Sequence, residues 1–302
     1  MKLLAIDGNS IANRAFYGIR MLNGPDGTPT NAIYGFLSMV DKIKTELQPE
    51  AIAVAFDVHS PTFRHAMYED YKAGRHATPD ELRTQMPILK DLLRDFGIAV
   101  LECEHYEADD ILGTLAARCD ESGDQCFIYT GDKDALQLVS PNVTVYLPHT
   151  KPGGTETLTY DEAKIAEDFG GLTPKQLIDV KALQGDSSDN IPGVPGVGPK
   201  TAISLIAKYG SLENLYQTIE HTPERGRLQD KLMDGKDSAF FSQTLGTICR
   251  NAPIDCHLHD LCPVQPDSRT VLQDLEWLGL KRFIEDWHLQ DDLTHDEEDI
   301  EV

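Results

Sequence analysis

Seven carboxylates in this 302-residue sequence stand where short apolar runs end or where helices begin. Two of them close apolar runs, two follow a third run, and three open a helix that comes directly after another run. They are Asp7, Asp57, Glu107, Asp109, Asp110, Asp132 and Asp134. Because the carboxyl ends of parallel strands meet at one edge of an open sheet, we expect all seven side chains to lie on a single rim.

Such a rim needs a counter-charge. Carboxylates packed together raise one another's pKa and destabilise the fold, and few Lys or Arg lie beside these acids in the sequence. An all-oxygen set of ligands favours Mg²⁺ or Mn²⁺ over zinc. Two such ions about 4 Å apart would activate a water and stabilise the leaving oxygen in phosphodiester hydrolysis. Any one of these acids could instead be a solvated turn residue or a helix cap, but the set is more specific than its members.

The elements that must position these acids are short buried strands alternating with amphipathic helices. Apolar runs predict strands at 3–6, 51–56, 98–101, 126–129 and 143–147, and apolar spacing near 3.6 predicts helices at 32–47, 79–96 and 108–119. This alternation predicts an α/β fold with a mainly parallel sheet flanked by helices. No apolar run reaches the roughly 18 residues that a membrane span needs.

From about residue 170 the sequence becomes all-helical, with helices predicted at 173–184 and 199–209 and a third helix capped by Ser211. The turn between the first two contains Gly193, Gly196, Gly198 and Lys200. Glycines let a backbone approach a ligand closely, and the free N–H groups at the start of the next helix bind phosphate. Although such turns are often plain connectors, this one has the form of a helix-hairpin-helix module, which grips the DNA backbone without reading bases.

Two further acids, Asp186 and Asp189, precede the hairpin closely enough to reach the metal rim. With them, the sequence resembles the 5′ nuclease family, which includes the N-terminal domain of bacterial DNA polymerase I, phage 5′ exonucleases and flap endonucleases. The likeness to the polymerase I domain is the closest, and the matching strings run in family order over roughly residues 1 to 290. They are Asp7-Gly8-Asn9-Ser10, Ala55-Phe56-Asp57, Phe63-Arg64-His65, Tyr71-Lys72-Ala73-Gly74-Arg75, Glu107-Ala108-Asp109-Asp110, Thr130-Gly131-Asp132-Lys133-Asp134 and residues 185–202.

The resemblance implies a PIN-like 5′ nuclease core at 1–170 with a helical arch at about 71–96. It also implies a helix-hairpin-helix (H3TH) subdomain with C-terminal helices at 171–290, and we expect an acidic, disordered tail at 291–302. All nine acids are then metal ligands. One ion is served by Glu107, Asp109 and Asp110. The second is served chiefly by Asp134, Asp186 and Asp189, and Asp132 lies between the two groups. Asp57 and Asp132 are also counted as catalytic.

The same resemblance assigns the basic residues. Lys72 would polarise the scissile phosphate, Arg75 would steady it, and Tyr71 would stack on a base. Arg14 and Arg64 are weaker candidates for phosphate contact. Gly193, Gly196, Gly198 and Lys200 would hold the duplex, and the hairpin carbonyls are candidate ligands for K⁺. For each basic residue, a solvated surface charge is the plainer alternative.

We therefore expect a metal-dependent 5′-3′ exonuclease and 5′ flap endonuclease of DNA replication and repair, acting on DNA flaps, nicks, 5′ ends and RNA-primed junctions. The expected protein is a cytoplasmic, nucleoid-associated monomer, with a DNA polymerase as candidate partner in cis or in trans. The six cysteines form no CxxC pair and indicate reduced thiols. The net charge of −23 does not exclude DNA as a partner, because part of this charge lies in the tail. In addition, carboxylate clusters that bind divalent cations do not present their full formal charge. A non-catalytic DNA-binding module and a related single-strand ribonuclease remain the alternatives.

Overall fold

The computed structural model describes residues 1–151, 154–222, 226–266, 268–287 and 289. The predicted acidic tail at 291–302 lies outside the described residues. The strands are β1 (Lys2–Asp7), β2 (Ala51–Phe56), β3 (Ala99–Glu102), β4 (Gln125–Tyr129), β5 (Val143–Lys151) and β6 (Gly154–Tyr160).

The α-helices, in chain order, are α1 (Gly8–Gly18), α2 (Asn31–Leu47), α3 (Phe63–Met67), α4 (Asp80–Asp95), α5 (Ala108–Ser122), α6 (Glu162–Asp168), α7 (Gln176–Gln184), α8 (Pro199–Tyr209), α9 (Leu212–Glu220), α10 (Arg227–Asp234), α11 (Lys236–Gly246), α12 (Ser268–Trp277) and α13 (Lys281–Asp286). Short 3₁₀ helices span Lys133–Leu138 and Leu258–Leu261. Among the described residues, no helix combines the length and the apolar character that crossing a bilayer requires.

The chain forms two compact units that interleave along the sequence. The first contains Met1–Phe56, Ala77–Glu102 and the described residues from Ile254 onward, and the second contains Asp57–His76 and Cys103–Pro253. These units do not coincide with the predicted division at residue 170, because the chain enters the second unit twice.

In the first unit, β1 pairs in parallel with β2, and β2 pairs in parallel with β3. Asp7 is in register with Ala55, so both strands end at the same edge. All six residues of β2 are buried, as expected for a strand that is covered on both faces. Gly8 follows Asp7 because a Cβ there would lie 2.4 Å from the Phe56 ring. The close packing of α1 on β2 therefore requires glycine directly after the acid.

The segment predicted as an arch, at about 71–96, is divided between the two units. Its helix α4 buries Leu82, Leu89, Leu92 and Leu93 within the first unit. Gln85 of the same helix accepts a hydrogen bond from the backbone N–H of Ala32 at 2.7 Å. In this structure α4 is thus a packed helix with one apolar face, and the arch remains a prediction.

In the second unit, β4 pairs in parallel with β5, and β5 pairs antiparallel with β6. The sequence reading missed β6, whose residues are mostly polar. From α7 to α11 the unit is helical around a shared core that includes Ala202, Ile206, Tyr216 and Leu232. Helix α7 begins at Gln176 rather than at the predicted residue 173, because the Gln176 side chain accepts a hydrogen bond from the Thr173 N–H at 2.8 Å and holds the preceding residues in a turn.

Candidate active site

The start of α5 brings three predicted site residues together. Glu107 is the extended N-cap residue, and the Asp110 carboxylate accepts a hydrogen bond from its backbone N–H at 3.0 Å, which closes a capping box. The Ala108 N–H donates to the Asp57 carboxylate at 2.8 Å. The helix N-terminus stabilises these negative charges. Burial nevertheless raises the pKa of Asp57, partly offset by the Ala108 hydrogen bond and by the positive charge of Lys72.

Arg64 is the counter-charge for this group. Its guanidinium donates two hydrogen bonds of 2.8 Å to Asp110 and one of 3.0 Å to Glu107. It also donates to the backbone carbonyls of Leu245 and Thr247 at 2.9 Å. The residue is 2 % exposed. All of its donors are bound to protein acceptors in this structure, and contact between Arg64 and a DNA phosphate stays a prediction.

Three further predicted site residues contact Glu107 or Asp189, namely Tyr71, Lys72 and Arg75. The Tyr71 hydroxyl donates to Glu107 at 3.0 Å, and Lys72 Nζ lies 2.5 Å from the second Glu107 oxygen. Arg75 donates to Asp189 at 2.5 Å. Tyr71 is 4 % exposed, so its ring is covered in this structure, and its stacking on a base stays a prediction. Lys72 and Arg75 keep accessible surface.

A second group of acids is gathered around Lys181 of α7. Its ammonium contacts Asp134 and lies 2.8 Å from an Asp186 oxygen. Asp132 caps the 3₁₀ helix after β4 by accepting the Asp134 N–H at 2.9 Å, which fixes these two acids beside each other. Ser188 donates to the remaining oxygen of Asp186 at 2.6 Å.

The electrostatics of this group depend on burial and on the lysine. Burial is the main reason that the pKa of Asp134 is raised to about 6, against the opposing effect of Lys181. For Asp186, burial is outweighed by the Lys181 and Ser188 hydrogen bonds, and its pKa falls to about 2. The pKa of Lys181 is raised despite its burial, because Asp134 and Asp186 stabilise the charged form.

Asp134, Asp186 and Asp189 form a candidate metal centre. Each offers a carboxylate oxygen, and the three oxygens lie within 4.8 Å of one another. Opposite ligands of an octahedral Mg²⁺ are about 4.2 Å apart, so small side-chain shifts would bring these oxygens into the first coordination sphere. The donor set therefore fits a hard divalent cation.

One small cleft of the second unit connects the two groups of acids. Its lining includes Glu107, Asp109, Asp134, Lys181 and Asp189. The structure thus brings together, through shared contacts or this cleft, eight of the nine predicted metal ligands, namely Asp57, Glu107, Asp109, Asp110, Asp132, Asp134, Asp186 and Asp189. The ninth, Asp7, belongs to the first unit.

Two predicted site residues, Asp7 and Arg14, belong to the first unit. Asp7 is 5 % exposed and caps α1 by accepting the Ser10 N–H at 2.9 Å. Arg14 is partly exposed on the same helix. Capping is consistent with the plainer interpretation of Asp7, and its role as a metal ligand stays a prediction.

Strained backbone accumulates near the candidate centre. Lys72, His105 and Asn190 have φ angles of 58°, 69° and 58°. Each lies within two residues of Tyr71, Glu107 or Asp189. A non-glycine residue in this region costs on the order of 1–3 kcal/mol and persists where the surroundings require it. Here the Lys72 N–H donates to the Asp189 carbonyl at 3.0 Å, so the strain is coupled to the position of a candidate ligand.

The Gly/Pro-rich hairpin lies between α7 and α8 as predicted. Gly193 is buried at φ +61°, and a Cβ there would lie 2.3 Å from the Gly185 nitrogen. By contrast, Gly196, Gly198 and Lys200 are exposed. Gly198 is the N-cap of α8, and Pro199 occupies the first turn. The hairpin thus presents backbone, one lysine and a helix N-terminus to solvent, while Gly193 serves packing.

Sequence reasoning missed Lys181. Its signal was present but weak: in α7, Lys181 stands four residues after Leu177 and next to Val180, a position that faces inward on this helix. A lysine at an inward position is rarely left unpaired. That observation could have indicated a buried counter-charge but not which acids it pairs with.

Comparison with known proteins divides the chain near residue 170 and identifies a family for each part. Residues 2–170 match the family described as "5′-3′ exonuclease, N-terminal resolvase-like domain", and residues 172–269 match "5′-3′ exonuclease, C-terminal SAM fold". DNA polymerase I of Bacillus caldotenax is 43% identical over 284 residues, and that of Bacillus subtilis (strain 168) is 41% identical over 298 residues. These matches cover 94% and 99% of the chain but only 32% and 33% of the relatives, so the chain spans about one third of their length.

Solved structures share the fold at low sequence identity. Zinc-bound T5 5′-exonuclease is 18% identical with a TM-score of 0.68, and the match covers 82% of this chain and 89% of that one. A complex of bacteriophage T5 D15 flap endonuclease with DNA and metal ions is 19% identical, with a TM-score of 0.65 and coverage of 97% and 98%. The catalytic core of Rad2 with DNA substrate is 19% identical, with a TM-score of 0.62 and coverage of 92% and 88%. With the two family matches along its length, the chain belongs to the 5′-3′ exonuclease family.

Proposed function

We propose that this chain is a structure-selective 5′-3′ exonuclease and 5′ flap endonuclease that hydrolyses DNA, including RNA-primed ends, during replication and repair. The observation that carries the proposal is the gathering of eight acids in one unit, three of them with oxygens within 4.8 Å. Membership of the 5′-3′ exonuclease family supports the same activity. Among the structural relatives, the T5 D15 flap endonuclease is in complex with DNA and metal ions and the Rad2 catalytic core with a DNA substrate, which agrees with it.

The cofactor that suits this centre is a divalent, oxygen-preferring ion such as Mg²⁺ or Mn²⁺. Asp134, Asp186 and Asp189 would hold one ion, and Glu107, Asp109 and Asp110 would contribute to a second, with Asp57 and Asp132 close by. When bound, two such ions supply an activated water and stabilise the leaving oxygen of a phosphodiester. Asp7 is retained in the proposed ligand set on the resemblance alone.

The chain's own cations would bind and orient the phosphate. Lys72 and Arg75 keep accessible surface although they contact Glu107 and Asp189. A phosphate arriving at the cleft would offer each of them a second anionic partner, and the fork of Arg75 suits bidentate binding. We therefore assign them the roles of polarising and steadying the scissile phosphate. Arg14 remains a candidate for a further phosphate contact.

The hairpin would hold the duplex beside the cut site. Gly196 and Gly198 expose their backbone, and α8 begins at Pro199, which leaves the following N–H groups directed at solvent. Lys200 adds a positive charge at this helix start. The hairpin carbonyls are candidate ligands for K⁺. Contacts of this kind recognise the backbone and not the bases, so binding would depend on DNA shape.

The proposed partners are DNA with a 5′ flap, a nick or a 5′ end, and RNA–DNA primer junctions. Because the DNA polymerase I relatives are about three times as long as this chain, a polymerase in cis or in trans is part of the proposal. We propose that the chain itself acts as a monomer.

Hydrolysis of a labelled 5′ flap duplex tests the proposal. We expect cleavage with Mg²⁺ or Mn²⁺ and none with EDTA, and loss of cleavage with retained flap binding in Asp132→Ala. The exposed Asp255, replaced by alanine, is the matched control and should cleave as the wild type does. Cleavage that EDTA leaves unchanged would exclude the metal mechanism. Tight flap binding without turnover would instead indicate a non-catalytic DNA-binding module, and preference for unpaired RNA would indicate a ribonuclease.

A further inference from the structure

Lys231 of α10 places a second positive charge directly on the hairpin. A Cβ built on Gly196 would lie 2.8 Å from Lys231 Nζ but 3.8 and 3.9 Å from Cε and Cδ. The ammonium group, rather than the aliphatic stem, is therefore the part of the side chain that lies against the glycine. Both residues are exposed, so the charge is presented to solvent at the tip of the turn.

Packing on the hairpin anchors the helix that carries this ammonium. Leu232, the next residue of α10, is completely buried in the cluster that contains Val194 and Val197 of the hairpin. A Cβ on Gly235, at the end of α10, would lie 2.8 Å from Val194 Cγ1, so helix and hairpin are in close contact there. Helix α10 and the hairpin thus share one core, and Lys231 reaches the turn from a rigid base.

Within the described part of the chain, the ammonium of Lys231 has no carboxylate partner. Among those residues, no hydrogen bond or ion pair joins its ammonium to a carboxylate, although Asp230 and Asp234 lie on the same helix. Other lysines of the second unit, such as Lys164 and Lys236, do form ion pairs with acids. An exposed ammonium that lies on a glycine turn and lacks an acidic partner is available to an anion.

We infer that Lys231 binds a backbone phosphate of duplex DNA, so that the hairpin is a two-cation phosphate clamp with Lys200 at the start of α8 and Lys231 contributed by α10. This inference rests on the proposed function and deepens it, because it adds a DNA contact from a helix outside the motif itself. Since a lysine ammonium is a point charge without a base-reading geometry, the contact adds affinity without sequence preference.

The salt dependence of binding tests the clamp. Each phosphate contact contributes about 0.9 to the slope of log K against log [salt], so Lys231→Ala should lower the slope by about 1. At 0.1 M salt the same term corresponds to affinity on the order of eightfold weaker. Anisotropy of a labelled 5′ flap duplex is measured in EDTA, so that hydrolysis does not consume the probe, at several KCl concentrations.

Four variants make the result specific. Lys231→Arg keeps the charge and should restore the wild-type slope, whereas Lys231→Glu should weaken binding further than alanine. Lys44→Ala, an exposed lysine of α2 in the first unit, is the matched control and should change neither slope nor affinity. Lys200→Ala tests the hairpin itself and should also lower the slope by about 1. Thermal melting establishes that each variant is folded.

The outcomes separate this inference from the proposed function. If Lys200→Ala lowers the slope and Lys231→Ala matches the Lys44→Ala control, the clamp is overturned while the hairpin role stands. If Lys231→Ala lowers the slope and Lys200→Ala does not, Lys231 is confirmed as a phosphate contact, and the assigned role of Lys200 is wrong. If the wild-type chain shows no salt-dependent binding to the flap duplex, both proposals fall.

Discussion

Replacement of Arg64 by methionine separates a structural role from a DNA-binding role. The side chain is similar in length but carries no charge. The variant leaves the completely buried Asp110 without its bidentate partner. It also removes one hydrogen bond from Glu107 and one from each of the backbone carbonyls of Leu245 and Thr247. We expect a large loss of stability, since a buried charge without its counter-ion has few ways to be solvated.

The size of the loss follows from the burial of the pair. Removing one member of a buried ion pair costs about 3–5 kcal/mol. The unfolding entropy of about 2.1 cal/mol/K per residue, applied to 302 residues, gives about 0.63 kcal/mol/K. For cooperative unfolding, the melting temperature should therefore fall by about 5–8 °C. The control is Arg83→Met, whose guanidinium forms an exposed i,i+3 pair with Asp80 and should cost less than about 1 kcal/mol.

Two assays decide the matter. Urea denaturation followed by circular dichroism gives the free energy of unfolding of both variants, and flap-duplex anisotropy gives the salt slope of DNA binding. If Arg64 supports the acids, Arg64→Met lowers stability and leaves the slope unchanged. Stability within about 1 kcal/mol of wild type, together with a slope lower by about 1, would refute this reasoning and restore Arg64 as a phosphate contact.

Three further predictions concern other buried contacts. Lys181→Met removes the ammonium that neutralises Asp134 and Asp186. Because Mn²⁺ can then supply the missing positive charge, it should raise the melting temperature of this variant more than that of wild type. An equal or smaller rise would contradict the role of Lys181 as the counter-charge of these acids. Gly193→Ala should lower the free energy of unfolding by about 1–3 kcal/mol or more because of its positive φ and backbone clash, whereas Gly198→Ala, where a Cβ meets nothing within 4 Å, should be tolerated in the same urea titration. Burial is the main reason that the pKa of Asp179 is raised above 3.8, so the folded state binds more protons than the unfolded state, and wild-type stability falls as pH rises from 3.8 through the raised pKa. The Asp179→Asn side chain does not titrate, so the stability of this variant relative to wild type should increase from pH 4 to pH 7. A stability difference that stays constant over this range would contradict the prediction.

The parts of the site that were predictable depend on local sequence. Strand β2 occupies the predicted residues 51–56, and Asp57 follows it as expected. The start of α5 was also predictable, since Glu107 and Asp110 have the i,i+3 spacing of a capping box. In both cases the element and the acid that it positions are encoded within a few residues of each other, and family membership confirms the fold that these elements indicated.

The counter-charges were not predictable in the same way. Arg64 is 46 residues from Asp110, and Lys181 is 47 residues from Asp134. Nothing local to either basic residue indicates its partner, because the pairing is created when distant helices pack. Few basic residues lie beside these acids in the sequence, yet the fold brings Arg64 against Asp110 and Lys181 against Asp134. Strand β6 was missed for a related reason: it pairs antiparallel with β5, and its residues lack the apolar run that marks a buried strand.

The four basic side chains near the acids differ in how far they are exposed, and this difference separates their roles. The side chains of Arg64 and Lys181 are 3% and 8% exposed, whereas those of Lys72 and Arg75 are 17% and 50% exposed. A cation reaches an incoming phosphate only if its donors can leave their present acceptors, and this becomes harder as the cation is more deeply buried and more fully bonded. Arg64 donates to four acceptor groups at once, so it holds the acids in place. Arg75 is half exposed and contacts a single carboxylate, that of the buried Asp189, so fewer of its contacts have to be exchanged before it can bind a phosphate. The buried cations therefore neutralise the acids within the fold, whereas the more exposed Lys72 and Arg75 are the ones that we propose to bind the substrate.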